Sequence, residues 1–214
     1  MEFIGEIQKF IKKHLNDNDI FDKVMQEILN NTSEKIVNNI QDLKEKYNKR
    51  KIGDYFEAFC YLYLTKIQKH NVWFYKDFPF KDKLNLTKTD YGIDLISLDD
   101  NDNYNAIQCK FRKHKNKDKN KNQIIPWKSL STFYGIVYKT GPWNKHVVIT
   151  NVDGCKHIGK KTDKDWTISF QQFKNLNRFD WIQMIDNDYI EHEVTNKLTI
   201  EELRNKRLEF YKII

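Results

Sequence analysis

The chain has 214 residues, of which 39% are hydrophobic, 14% aromatic and 31% charged, and its formal net charge is +7. This length suffices for one domain with a sizeable core. A membrane partner is not expected, because no stretch approaches the roughly 20 consecutive apolar residues that cross a bilayer.

Cysteine usage and the amino terminus indicate the compartment. The three cysteines, Cys60, Cys109 and Cys155, lie far apart and form no metal-binding pattern. The first residues have neither the basic segment nor the cleavage site of a secretory signal. We therefore expect a reduced, intracellular protein without disulfides, in the cytoplasm or, in a eukaryotic or viral setting, in the nucleus.

The first 50 residues predict an N-terminal helical extension. Apolar stripes at helical spacing begin at Phe3, Ile20 and Ile36, and polar breaks separate them. Nine basic and nine acidic residues cancel in this region. The aromatic content and the pattern change at Lys51, so we divide the chain into residues 1–50 and a domain of residues 51–214.

The second part alternates predicted helices and strands. Helices are predicted at residues 53–66, 129–139, 171–176 and 199–211, and strands at 72–78, 91–98, 104–112, 146–151 and 166–170. Because turn residues at 99–102 separate two of these strands, 91–98 and 104–112 should pair as a hairpin.

This hairpin carries the chemistry. Gln108 and Lys110 are two residues apart on one strand, so their side chains point to the same face. Asp94 lies inside the apolar run of the other strand, where a lone carboxylate would be costly to bury. A bound cation would remove that cost.

The same residues suit phosphodiester hydrolysis. Mg²⁺, or Mn²⁺, prefers oxygen ligands and commonly takes only one or two carboxylates besides water and phosphate. Asp94, the side-chain oxygen of Gln108 and the backbone carbonyl of Cys109 are the predicted ligands. Lys110 would position the attacking water and stabilise the charge that develops on the phosphate.

The run Gly92-Ile93-Asp94, followed by Gln108-Cys109-Lys110, resembles the PD-(D/E)XK nuclease superfamily. It is most similar to the Mrr-like restriction endonuclease branch, including nuclease domains attached to superfamily 2 helicases. The resemblance implies an α/β restriction-endonuclease-like core, with a central mixed β-sheet flanked by helices. It also implies that Glu57, on the preceding helix, joins the metal site. Gln108 stands where many members have an acid.

Excess positive charge follows the hairpin directly. Residues 110–122 contain seven Lys or Arg and one acid, which favours phosphate binding, although a solvated Lys/Asn loop is the alternative. The candidate phosphate contacts are Arg112, Lys113, Lys115, Lys117 and Lys128. For the aromatic side chains Trp127, Phe133, Tyr134 and Trp143, packing is favoured over stacking on bases.

The predicted function is a Mg²⁺-dependent endodeoxyribonuclease with Glu57, Asp94, Gln108 and Lys110 as its catalytic set. Two alternatives remain open: a non-cleaving nucleic-acid-binding module of the same fold, and a structure-selective junction or repair nuclease. DNA is the expected partner. A helicase or recognition subunit, and a second copy of the chain, are left open.

Overall fold

The computed structural model describes residues 2–32, 41–89, 91–113, 123–157 and 161–185; of residues 2 and 41–48 it describes the backbone alone. The helices are α1 (Glu2–His14), α2 (Ile20–Asn31), α3 (Gln41–Leu62), α4 (Ser131–Val137), α5 (Phe170–Lys174) and α6 (Arg178–Gln183). The strands are β1 (Asn71–Phe74), β2 (Leu95–Leu98), β3 (Tyr104–Lys110), β4 (Ile124–Ile125), β5 (Lys145–Thr150), β6 (Gly154–Cys155) and β7 (Asp165–Ile168).

Five strands form a mixed central sheet in the order β1-β2-β3-β5-β7. The first three pair antiparallel, and β3, β5 and β7 run parallel. Strands β4 and β6 form a separate parallel pair. Helices flank the sheet, so the predicted restriction-endonuclease-like architecture is confirmed.

Each face of the sheet has its own apolar core. Helices α1, α2, α3, α5 and α6 cover one face, where Phe56, Phe59 and Phe173 are buried with Leu95 and Ile107 of the sheet. The connection between β1 and β2, together with α4, covers the other face. Alternation along β3 therefore sends Ile107 and Cys109 toward α3, while Ala106 packs in the second core.

Helix α3 differs from the prediction. It runs without interruption from Gln41 to Leu62, so the predicted helix start at residue 53 is wrong. Gly53 lies in its interior, where glycine costs only about 1 kcal/mol relative to alanine. Buried Tyr55, Phe56 and Phe59 on the same helix supply packing that outweighs this cost. The division of the chain between residues 50 and 51 falls inside α3 and remains a prediction.

Strand and helix ends also differ from the sequence patterns. Strand β1 ends at Phe74, where a 3-10 turn begins, and β2 is regular only from Leu95. The short helix α6 was not predicted, and the predicted helix at 199–211 lies outside the described residues. In the part of the chain that the structure describes, no helix is long and apolar enough to cross a membrane.

Candidate active site

Asp94 is held in the sheet although it precedes regular β2. Its backbone N–H donates to the Ile107 carbonyl at 2.9 Å, and its own carbonyl accepts the N–H of Tyr75 at 3.0 Å. One bond runs toward β3 and the other toward the chain that follows β1, so Asp94 is anchored to both neighbours of β2. Because Leu95 is the register partner of Ile107, Asp94 and Leu95 both lie beside that residue, and the Asp94 side chain reaches Gln108 and Cys109, which follow it on β3.

Two donors from β3 hold the Asp94 carboxylate. The backbone N–H of Cys109 donates to Oδ2 at 2.6 Å, and the side-chain amide of Gln108 donates to the same oxygen. Gln108 is only 3% exposed. Bonds from N–H groups to a carboxylate are stronger than neutral ones, so they offset much of the cost of removing this charge from water.

Gly92 makes room for this arrangement. Its φ of +129° is a conformation that other residues rarely adopt, and a Cβ there would lie 3.4 Å from the backbone nitrogen of Phe133. The same Cβ would lie 3.5 Å from the Gln108 Oε1 atom. The amide oxygen of Gln108 thus lies on the side of Gly92 and α4, whereas its nitrogen points to Asp94.

The structure brings Asp94, Gln108 and Lys110 to one face of the sheet edge. The Asp94 carboxylate accepts a hydrogen bond from the Gln108 amide, and Lys110 is the next residue of β3 on the face of Gln108. The Lys110 side chain is half-buried. The structure thus brings the side chains of Asp94 and Gln108 into contact, and the catalytic role of all three residues stays a prediction.

Glu57 approaches from the other side of β3. Its neighbour Phe56 packs edge-on against Phe111, with ring centroids 5.6 Å apart, which brings this turn of α3 to the end of β3. The pKa of the Cys109 thiol is raised first by burial, then by contact with Cys60, and further by the charges of Asp94 and Glu57. The charges of both carboxylates therefore act on Cys109, and the Asp94 carboxylate is also bonded to its backbone N–H.

These residues fit a hard divalent cation. Because the Ile107 carbonyl faces β2, alternation turns the N–H and carbonyl of Cys109 to the same side, toward Asp94. Asp94, the Cys109 carbonyl and Glu57 would supply an all-oxygen set that leaves room for water, as Mg²⁺ prefers. Among the described residues, no three His, Cys, Asp or Glu side chains form a metal-binding group, so the set is poor in protein ligands.

The side-chain amide of Gln108 is not oriented as a metal ligand. Because its nitrogen faces Asp94, it acts here as a donor that orients the carboxylate. It would serve as an oxygen ligand only after a half-turn of its amide group. The ligand role of Gln108 therefore stays a prediction.

The predicted phosphate contacts are only partly described. The Arg112 guanidinium is half-buried and donates to Ser129 Oγ at 2.6 Å. Lys113 and Lys128 are exposed. Lys115 and Lys117 lie outside the described residues. The part of the basic segment that the structure describes, residues 110–113, thus begins at the candidate site.

The four aromatic residues considered for base stacking are mainly packed. Phe133, Tyr134 and Trp143 are buried. Trp127 is half-buried and stacks on Tyr134, with ring centroids 4.9 Å apart. The packing interpretation is confirmed.

Sequence reasoning missed Thr150, Asn151 and Ser129. Both Thr150 and Asn151 are buried and bond to the backbone of Lys110 or Arg112. The available signal was a pair of polar residues at the carboxyl end of a buried strand, which is where sites in such sheets are usually found.

A family model described as "Restriction endonuclease" (Mrr_cat_2) matches residues 63–191, more than half of the chain. The chain belongs to this restriction endonuclease family. The predicted Mrr-like branch of the PD-(D/E)XK nucleases is thereby confirmed, and the domain is a nuclease. The match includes Asp94, Gln108 and Lys110 of the restriction endonuclease domain, whereas Glu57 precedes it. No curated protein and no solved structure matches the chain.

Proposed function

We propose that this restriction endonuclease domain is a Mg²⁺-dependent endodeoxyribonuclease. The observation that carries the proposal is the Asp94 carboxylate, which two donors from β3 hold beside Gln108, and Lys110 lies on the same face of β3 as Gln108. Such a preorganised set of charges costs no reorganisation when the phosphate reacts.

Asp94 would hold the cation directly, with the Cys109 carbonyl and Glu57 completing the protein ligands. The bound ion would supply Lewis-acid polarisation of the phosphoryl group and a lower pKa for its water. Mn²⁺ could replace Mg²⁺, because both accept carboxylate, carbonyl and water oxygens.

Lys110 would act on the phosphate and on the attacking water. In hydrolysis a water oxygen bonds to phosphorus, the bond to one bridging oxygen breaks, and that oxygen takes up a proton. The Lys110 ammonium would lie beside the non-bridging oxygens and stabilise the charge that they gain. Arg112, Lys113 and Lys128 would bind flanking phosphates without reading sequence.

A non-cleaving DNA-binding module is the second candidate. The observation that favours it is the Gln108 amide, which donates to Asp94 and replaces the negative charge of an acid at this position. A structure-selective nuclease for junctions or repair would use the same site and differ only in substrate. A helicase or recognition subunit, a second copy of the chain and an intracellular location also stay predictions.

The test compares wild type with Asp94→Asn, which keeps the size of the side chain but removes its charge. Nicking of supercoiled plasmid is measured with Mg²⁺, Mn²⁺ or EDTA. We expect a loss of at least about 100-fold, as is typical when a preorganised electrostatic group is removed. Asp163→Asn, at an exposed position, is the matched control and should nick normally.

Two outcomes decide between the candidates. If wild type and Asp94→Asn nick at the same rate, or if neither nicks with either metal, the proposal of a Mg²⁺-dependent endodeoxyribonuclease is wrong. Binding of DNA by both proteins in the second case would support the non-cleaving module. Once nicking is established, a panel of linear, flapped and branched DNA separates a structure-selective nuclease from a restriction enzyme.

A further inference from the structure

Two buried polar side chains hold the chain where it leaves β3. Thr150 Oγ1 donates to the Lys110 carbonyl at 2.8 Å. The Asn151 side chain accepts the Arg112 N–H at 2.7 Å and donates to the Arg112 carbonyl at 2.9 Å. Thr150 is 0% exposed and Asn151 2%. We call these three bonds the exit clamp.

The exit clamp extends the sheet beyond its last backbone pair. Lys110 and Thr150 are the final partners in the ladder of β3 and β5. After them the Asn151 amide offers one acceptor and one donor to Arg112, as a peptide group of a neighbouring strand would. Both polar atoms of a buried amide are thereby satisfied, which avoids a penalty of about 1–3 kcal/mol for each unpaired group.

The exit clamp restrains the backbone of Lys110 and of Arg112. Thr150 holds the carbonyl of Lys110 itself, so this bond restrains the backbone that directs the Lys110 side chain. Arg112 is fixed at its backbone by Asn151 and at its guanidinium by Ser129. Asn151 and Thr150 themselves are too buried to touch DNA.

We infer that Thr150 and Asn151 are positioning residues for phosphodiester cleavage, which act by fixing the backbone of Lys110 and Arg112. The inference rests on the proposed nuclease function. A displacement of about 1 Å in a reacting group can cost on the order of 100-fold in rate, so a loosened clamp should be visible in turnover.

The test uses Asn151→Ala and Thr150→Val, the second of which keeps the side-chain shape and removes only the hydroxyl. We expect kcat for DNA cleavage to fall at least about 10-fold in folded protein, with KM changed by less than about threefold. Thr150→Ser, which retains the hydroxyl, should restore kcat.

A matched control separates positioning from stability. Asn105 is also a buried asparagine of this sheet, bonded to Ser97 Oγ at 3.3 Å at the far end of β3. Asn105→Ala should lower the melting temperature and leave kcat unchanged. Hydrogen exchange gives a second readout, because the Arg112 amide should exchange faster in Asn151→Ala, and this requires no activity.

The inference and the proposed function fail in different ways. If wild type cleaves and both clamp variants keep kcat within about twofold, or if Asn105→Ala loses as much kcat as they do, the positioning role is wrong and the nuclease stands. An Arg112 amide that exchanges no faster in Asn151→Ala also overturns it. If wild type does not cleave, the proposed function fails and the positioning role falls with it.

Discussion

At the scale of single residues, Gly92 sets the direction of the backbone just before Asp94. Its φ is +129°, and a Cβ would meet the Phe133 backbone at 3.4 Å. The positive φ turns the chain out of the extended course predicted for residues 91–98. The close approach lets the beginning of α4 pack over Gln108. One glycine thus serves both the turn and the packing.

We predict that Gly92→Ala destabilises the protein by about 1–2 kcal/mol, because a Cβ at positive φ is strained. It should also slow cleavage, since the Asp94 carboxylate would shift. Urea unfolding and plasmid nicking measure the two effects. Gly135→Ala is the matched control: nothing lies within 4 Å of a Cβ there. In helix α4 alanine should stabilise by about 0.5–1 kcal/mol. Equal stability of the two variants would contradict the prediction.

At the scale of elements, the sequence predicts those features that interactions between neighbouring residues determine. The alternation in β3 and the turn residues at 99–102 predict the hairpin, so the approach of Asp94 to Gln108 and the shared face of Gln108 and Lys110 could be expected from sequence. The exit clamp could not, because it depends on the parallel pairing of β3 with β5, residues far apart in the chain. The predicted helix start at Gly53 is wrong because a sequence pattern cannot compare the cost of a glycine inside a helix with the tertiary packing that stabilises α3.

The packing of α2 leads to a prediction about the division at residue 50. Phe21 is 4% exposed, and its ring centroid lies 5.1 Å from that of Phe173. Phe21→Ala should cost about 3–5 kcal/mol through the cavity it leaves. Because Phe173 belongs to the second part of the chain, we expect one unfolding transition that shifts as a whole in denaturant.

Phe179→Ala, on α6, is the control for this prediction, since Phe179 is 59% exposed. Its effect should stay within about 0.5 kcal/mol. Two separate unfolding transitions, with Phe21→Ala moving only one of them, would instead show that the N-terminal helices fold independently of the nuclease domain.

At the scale of the whole molecule, the two ends of the parallel strands carry different polar groups. The site and the exit clamp lie where β3 and β5 end. At the opposite end, His146 at the start of β5 is buried beside Asp165 of β7, with Nδ1 and Oδ1 3.3 Å apart. This pair is remote from the cleavage chemistry, so it affects stability without entering the proposed mechanism.

This pair predicts a loss of stability in acid. Burial lowers the pKa of His146 below 6.5, although the hydrogen bond and charge of Asp165 partly offset it. Between about pH 6.5 and the lower folded pKa, the unfolded state therefore binds more protons, and the free energy of unfolding falls as the pH falls. Burial raises the pKa of Asp165, but bonds from Thr162 and His146 lower it below 3.8 overall. Its contribution has the same sign and is lost only below that pH.

The measurement is urea unfolding from pH 7.5 to 5 in wild type and in His146→Asn, whose amide can still reach Asp165. The variant should be less stable at pH 7.5, because the ring leaves a cavity. Its stability should nevertheless fall less steeply between pH 6.5 and 5, since the group that takes up the proton on unfolding is gone. An unchanged slope would show that His146 is not the group responsible, and a steeper slope would reverse the assigned sign of its pKa shift.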